Sequence, residues 1–581
     1  MPEAAGAARL SAGGRSAALA ALAGTEHQVL VVGGGVVGAG VALDAATRGL
    51  SVGLVEARDF ASGTSSRSSK LIHGGLRYLE QLNFGLVREA LTERSLLLGV
   101  IAPHLVRPVP FVFPLTHHVW ERAYVGAGIG AYDALGFSLG QVRGLPGHRQ
   151  LSRRGALRLA PALKRSAIAG AIAYWDGQVD DARYVLTLVR TAAHYGAQVA
   201  SRVQVTGFLR EGARVTGVQA VDLESGAELH IRAQQVVNAT GVWTDEIQSM
   251  VGGRGTINLR VSKGVHLVVP KDRIHSSAGI ILRTPVSVLF VIPWDRHWIV
   301  GTTDTEWTGS KAQPVASRAD IDYLLSQANR VLATPLSRDD VTAVYAGLRP
   351  LLSGESDMTS RLSREHVVAG PVPGLVLVAG GKYTTYRLMA RDAVDAVVHG
   401  LDWRTPPSCT DRVPLAGADG YLALWNARRR LATSSGLHVA RIEHLLRRYG
   451  SLAREVLGMI EADPGLGRPM AGSDDYLRAE IRYAASHEGA RHLDDVLARR
   501  THIAIETADR GLAAVEEAAA LIAGPLGWDA GQMAREVRHY RAEVAAQRAS
   551  EDAGSDADAE AIAGAVPDIV PVRTGADATS R

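Results

Sequence analysis

A short apolar run at 29–32 ends in glycines, the pattern of a strand buried on both faces. Residues 36–47 then carry small and apolar side chains at helical spacing, and 51–55 form a second apolar run ending at Glu56. Strand, helix and strand within thirty residues predict a βαβ unit opening an α/β domain. Gly, Ser and Thr dominate 63–75, which reads as a loop. Helical periodicity predicts helices over 84–98 and 181–195. Between them, apolar residues alternate with prolines to Pro114, and the stretch to Pro146 gives no clear element. Strands are expected at 198–205 and 235–241, with a hairpin from 215–221 and 229–231. Further strands crowd 264–303, where Asp295 and Arg296 separate 288–294 from 298–302 as in a hairpin. A last apolar strand, 375–381, runs into Lys382.

Beyond Pro406 and Pro407 the period becomes helical. Ile442, Leu445, Leu446 and Tyr449 repeat at i, i+3, i+4, i+7, and Gly450 stands at the expected C-terminal cap. The fold class expected is therefore α/β (α+β): a Rossmann-like nucleotide-binding part at 26–80, 180–255 and 360–400 within an oxidoreductase domain at 26–400. A mostly antiparallel substrate part is inserted in it, and a helical domain follows at 405–548. The Ala-rich start, 1–25, reads as a disordered extension, and the acidic, small-residue end, 549–581, as a disordered tail.

At 581 residues, several domains are required. The 63 basic and 59 acidic residues nearly cancel, which gives no reason to expect nucleic acid as a partner. Only six lysines occur, so one placed in a glycine-rich loop (Lys382) or a hydroxyl-rich loop (Lys70) draws notice. The single cysteine, Cys409, excludes an intramolecular disulfide and CxxC redox chemistry, and suits a reducing cytoplasm. No apolar run reaches the roughly 18 residues of a spanning helix.

The first chemical constellation is Gly33-x-Gly35-x-x-Gly38 followed by Glu56. Gly33 permits the tight turn, Gly35 lets backbone approach a pyrophosphate, and Gly38 lets helix pack on strand. The helix N-terminus offers N–H groups to phosphates, and Glu56 can accept both ribose hydroxyls. Two later glycine approaches, Ala239-Thr240-Gly241 and Gly380-Gly381-Lys382, favour FAD over NAD. So does the hydroxyl-rich loop Thr64, Ser65, Ser66 to Lys70, whose side chains can reach the pyrophosphate and the flavin edge. His487, Glu488, His492, Asp494 and Asp495 lack metal-ligand spacing and read as a solvated helical face with ion pairs, so no metal site is expected.

The run Ser65-Ser66-Arg67-Ser68-Ser69-Lys70-Leu71-Ile72-His73-Gly74-Gly75-Leu76-Arg77-Tyr78-Leu79 closely resembles the signature of aerobic, FAD-dependent glycerol-3-phosphate dehydrogenases, within the glycine/D-amino-acid oxidase-like superfamily. Asp180-Asp181-Ala182-Arg183, Asn238-Ala239-Thr240-Gly241, Gly301-Thr302-Thr303-Asp304, Gly347-Leu348-Arg349-Pro350-Leu351, Ser363-Arg364-Glu365 and Gly380-Gly381-Lys382-Tyr383-Thr384-Thr385-Tyr386-Arg387 follow in family order. Val242 stands where the family often has proline, and Tyr383 where it often has leucine.

The resemblance implies oxidation of sn-glycerol 3-phosphate at C2 to dihydroxyacetone phosphate, with electrons delivered to membrane quinone. It implies Arg349 and Arg364 as a phosphate clamp, with Arg77, Lys382, Tyr78 and Thr385 lining the substrate pocket. A dianionic substrate requires such fixed cations. Leu71, Val203, Trp243 and Thr384 join the residues expected around FAD. His73 is a candidate to accept the hydroxyl proton, since histidine titrates near working pH, or else a loop histidine bonding flavin or backbone. Lys382 is expected to stabilise reduced flavin. A quinone acceptor with no spanning helix implies a cytoplasmic protein peripheral on the cytoplasmic membrane face, with the arginines at 428–430 and 447–448 as candidate contacts. The alternatives are an oxidase using oxygen, an amino-acid oxidase of the same fold, and a non-catalytic flavin-bound scaffold. A homodimer is also open.

Overall fold

A computed structural model describes residues 7–74, 84–116, 145–252, 257–284, 288–352, 366–401 and 404–573. The expected βαβ unit is present: β1 (His27–Val32), α2 (Val36–Thr47) and β2 (Val52–Glu56), preceded by α1 (Ala12–Gly24). β1 lies at the centre of a sheet, parallel to β2 on one side and to Glu228–Asn238 on the other. The latter is parallel in turn to Leu375–Gly380. The burial of β1 on both faces explains its unbroken apolar run. Gly40 lets α2 close onto Tyr386, because a Cβ there would sit 2.8 Å from that ring.

Two strand predictions change in detail. The segment 198–205 is split at Arg202, whose φ of 60° ends Gln198–Ser201 and starts Val203–Glu211 in a different pairing. Conversely, 229–231 and 235–241 belong largely to one long strand, Glu228–Asn238. Its first half pairs antiparallel with Arg214–Asp222 and its second half parallel with β1. The second sheet is mostly antiparallel, as expected. Its strands Leu259–Pro270 and Ala343–Leu352 run side by side, placing Arg349 opposite Ser262.

Both ends of the chain correct the expectation of disorder. Within 1–25, α1 is an ordered helix capped by Ser11, whose Oγ accepts from Gly14 N at 3.1 Å. Leu22 is completely buried in a notch that Gly53 leaves in the sheet, and Arg15 pairs with Asp222 at 2.5 Å. Within 549–581, a helix spans Asp556–Gly564, and chain continues in defined contacts to Arg573. Its alanines Ala559 and Ala563 pack on Trp307, and Asp556 pairs with buried Lys263 at 2.7 Å. Composition suggested disorder because each segment has few large apolar residues. Order comes from partners distant in sequence.

The helical region after 404 rests on the nucleotide-binding domain through a buried ionic seam. Asp59 binds Arg499 (2.5 Å) and Arg500, Arg202 binds Asp495 at 2.9 Å, and Arg183 binds Glu488. The acids and histidines read as a solvated face are therefore mostly interior: Glu488, His492 and Asp495 are all buried. Their cost of burial is offset by paired arginines, and breaking one such pair typically costs ~3–5 kcal/mol. Among the described residues no group of acids, histidines and cysteine could hold a metal ion.

His492 bridges Glu224 (3.0 Å) and Glu536 (2.8 Å). Burial alone pushes its pKa down, but the two carboxylate hydrogen bonds prevail and hold it up at about 9. The folded state thus binds this proton more tightly than the unfolded chain, whose histidine titrates near ~6.5. The resulting stability is fully present below that unfolded value and is lost as pH rises through about 9. We expect wild-type thermal stability to fall across this window, by an amount of order 3 kcal/mol for this group. His492→Gln should be less stable at pH 6 and flatter with pH. Parallel slopes in melts from pH 6 to 9.5 would refute the assignment.

Candidate functional site

The carboxyl ends of the parallel strands and the second sheet enclose one large cavity of about 730 Å³. At one end, β1 stops and Gly33 turns the chain with φ 111°. Its missing side chain matters, since a Cβ would lie 2.7 Å from the Ala239 carbonyl oxygen. Gly35 begins α2 without a side-chain cap, and the Ser65 Oγ accepts from Val36 N at 3.0 Å. Gly38 does not reach the cavity: it lies beneath Gly33, where a Cβ would stand 1.9 Å from the Gly33 carbonyl oxygen.

Glu56 closes this end. Its carboxylate accepts from Gly34 N (2.6 Å) and Arg58 N (2.8 Å). Burial raises its pKa, and those two backbone hydrogen bonds pull it only part of the way back. Each oxygen keeps a further lone pair for a ligand hydroxyl. Val203 and Trp243 line the same region, and the Arg58 guanidinium sits 5.4 Å from the Trp243 ring.

The 238–241 turn is organised by buried Asn238. Its Oδ1 accepts from Thr240 N and Oγ1, and its Nδ2 reaches the Thr244 carbonyl oxygen. Asn238 is scaffold, while Ala239, Thr240 and Gly241 face the cavity. Gly380 and Gly381 take consecutive positive φ values of 76° and 74°, carrying Lys382 to the wall. Thr384 joins that turn to the His73 loop, its Oγ1 lying 3.2 Å from His73 N and 3.3 Å from His73 O.

Arg349 also lines the cavity. Its guanidinium is aimed by Thr302 Oγ1 (3.0 Å), the Thr303 carbonyl (3.2 Å) and Asp304 (3.5 Å). Gly264 leaves room for it, since a Cβ there would meet Nη2 at 2.5 Å. Thr64, Ser65, Leu71 and His73 also line the cavity.

Three expected residues are placed elsewhere. The Lys70 ammonium is turned inward onto Asp181 at 2.5 Å and is not on the cavity wall. Its apparent freedom in a polar loop disappears because Asp181, far along the chain, supplies a buried carboxylate. Ser66 also misses the cavity, its carbonyl lying 3.3 Å from Lys70 Nζ, and Thr385 is buried off the cavity wall. Arg77, Tyr78 and Arg364 lie outside the described residues.

His266 was not anticipated. It is buried on Leu259–Pro270, stacks on Tyr345 at 4.7 Å, and its Nε2 is 2.9 Å from Ser69 Oγ. Burial first, then the charges of Arg349 and Lys70, keep its pKa well below the usual value, so the ring is neutral. The available signal was a histidine interrupting the apolar run 265–269.

The cradle suits FAD: unobstructed backbone at 33–35 beside a helix N-terminus, a ribose-height carboxylate, and a long cavity continuing to cationic walls. The chain belongs to the FAD-dependent oxidoreductase family, whose family model matches 28–388. A second model, the C-terminal domain of alpha-glycerophosphate oxidase, matches 408–533. Its curated relatives narrow the class to the FAD-dependent glycerol-3-phosphate dehydrogenases. Glycerol-3-phosphate dehydrogenase 2 of Mycobacterium bovis is 57% identical over 541 residues, covering 93% of this chain and 92% of that one. The human mitochondrial glycerol-3-phosphate dehydrogenase is 37% identical, covering 89% and 73%. The glycerol-3-phosphate dehydrogenase of Bacillus halodurans, solved in complex with FAD, superposes with a TM-score of 0.75 at 28% identity over 92% of this chain and 98% of that one.

Proposed function

We propose that this enzyme oxidises sn-glycerol 3-phosphate to dihydroxyacetone phosphate and passes the electrons to a membrane quinone. The observation that carries this reading is one cavity with a nucleotide cradle at one end and Arg349, Lys382, His73 and His266 on its walls. FAD, when bound, supplies the acceptor for the hydride leaving C2. The chain's residues do the rest. Arg349, held rigid by Thr302, Thr303 and Asp304, offers a preset fork to the phosphate. Arg364 is assigned the second arm of the clamp, with Arg77 and Tyr78 beside the substrate. The C2 hydroxyl loses its proton as C2 loses hydride, leaving the carbonyl. His73 is one candidate to accept that proton. His266, kept neutral by burial and by the charges of Arg349 and Lys70, can take a hydrogen bond from the hydroxyl but is the poorer base of the two. Lys382 provides positive charge where negative charge develops.

No helix among the described residues is long and apolar enough to cross a membrane, and the delivery to quinone proposed here is through surface contact. Arg428 and Arg447 flank Trp425 at 5.1 and 5.2 Å, next to Leu422, which is 66% exposed. That basic, partly apolar patch is our candidate contact. Arg448 is excluded from it, being turned inward onto Asp180 at 3.0 Å. One anaerobic experiment tests the whole reading. Glycerol 3-phosphate should bleach the bound flavin, and a quinone analogue in anionic vesicles should restore its colour faster than air, less so at high salt. No bleaching would reject the substrate. Fast recovery in air alone would transfer the assignment to an oxidase.

A further inference from the structure

The segment after the last helix runs back across the molecule and reaches the nucleotide cavity. It is fixed at four points. The Val566 carbonyl accepts from Gln313 at 3.2 Å, and the Pro567 carbonyl bonds His539 Nε2 at 2.8 Å. Asp568 pairs with Arg58 at 2.9 Å, and the Ile569 carbonyl accepts from Arg535 at 2.8 Å. Then the Arg573 backbone docks on the Gln204 amide: its N–H donates to Oε1 at 2.8 Å, and its carbonyl accepts from Nε2 at 2.9 Å. Val572 and Arg573 thereby become part of the cavity wall, together with Gln204 and Arg58.

Which end of the cavity they cover follows from chain geometry. Arg58 is two residues beyond Glu56 and donates its backbone N–H to that carboxylate. A carboxylate at the end of the second strand of a dinucleotide-binding unit faces the ribose of the adenosine. The Asp568 contact therefore grips the loop that holds the ribose-facing acid.

We infer that 566–573 is a retention strap for the cofactor, a wall over the adenosine half of FAD that must lift before FAD leaves. The inference rests on FAD occupying this cavity, and it concerns release rather than chemistry. The strap lies beyond both matched family regions, 28–388 and 408–533. Its anchors are a half-buried ion pair and hydrogen bonds, and none of its residues belongs to a hydrophobic core, so it can detach without opening one.

The test compares full-length holoenzyme with a chain ending at Ala565, which keeps the helix Asp556–Gly564 and its packing on Trp307. FAD release after dilution is followed by flavin fluorescence. The shortened chain should release FAD at least about ten times faster, with unchanged far-UV circular dichroism. Asp568→Lys in the full-length chain, which sets like charges against each other at Arg58, should accelerate release in the same direction. It serves as the readout if the shortened chain does not fold. Equal release rates in a folded variant would overturn the strap while leaving the cofactor assignment intact. A full-length chain that binds no FAD would instead overturn that assignment.

Discussion

Gly35→Val is expected to yield a folded but colourless protein. At Gly35 the φ is −80°, so no backbone strain arises, and a Cβ would meet only the Ser65 Oγ at 3.2 Å. A hydroxyl can yield by that much, so the melting temperature of the apoprotein should hardly change. The added side chain does, however, fill the approach of the pyrophosphate to the α2 N-terminus. Losing two or more charge-assisted hydrogen bonds at ~1.5–3 kcal/mol each predicts at least about a 150-fold loss of FAD affinity. Gly38→Ala should behave differently. Its Cβ would stand 1.9 Å from the Gly33 carbonyl oxygen, a backbone atom that can move only with the whole turn. Both stability (by about 1–3 kcal/mol or more) and FAD binding should suffer. Flavin absorbance after desalting, with apoprotein melts beside it, separates the two. Yellow Gly35→Val protein would contradict the cradle.

Arg349→Ala should raise KM for glycerol 3-phosphate by roughly 30- to 1000-fold, the ~2–4 kcal/mol of a lost charged pair. Arg349→Lys should recover only part of this, because an ammonium cannot reproduce two parallel N–H bonds. Asp304 also loses a partner at 3.5 Å, so a stability loss will accompany the effect and must be separated from it. Glycerol provides the separation. Lacking the phosphate, it should be a very poor substrate for the wild type, and its kcat/KM should be nearly indifferent to the substitution. Equal losses for both substrates would mean that Arg349 supports the site rather than binding phosphate.

The sequence by itself determined the nucleotide cradle, the alternation of the inserted sheet and the change to helices after residue 404. These depend on short periods and local turns: Gly33, Gly35, Gly38 and Glu56 lie within 24 residues, and backbone geometry there requires Gly33 and Gly38. The long motifs were equally legible, and Ala239, Gly241, Arg349, Lys382 and Thr384 do meet on one cavity. What the tertiary structure decided is which charges face the cavity. Lys70 and Arg448 look alike to Lys382 and Arg349 in sequence, being cations near polar or basic neighbours. Yet Asp181 and Asp180 neutralise the first two in the interior. The same physics ordered both chain ends. Leu22 is buried because Gly53, thirty-one positions on, leaves a notch, and Asp568 is fixed because Arg58 lies 2.9 Å away. His266 reaches the cavity through a stack on Tyr345. Such pairings span tens to hundreds of residues. No window of sequence contains both partners, so burial of a charge or ordering of a weakly apolar segment is fixed only when the fold brings them together.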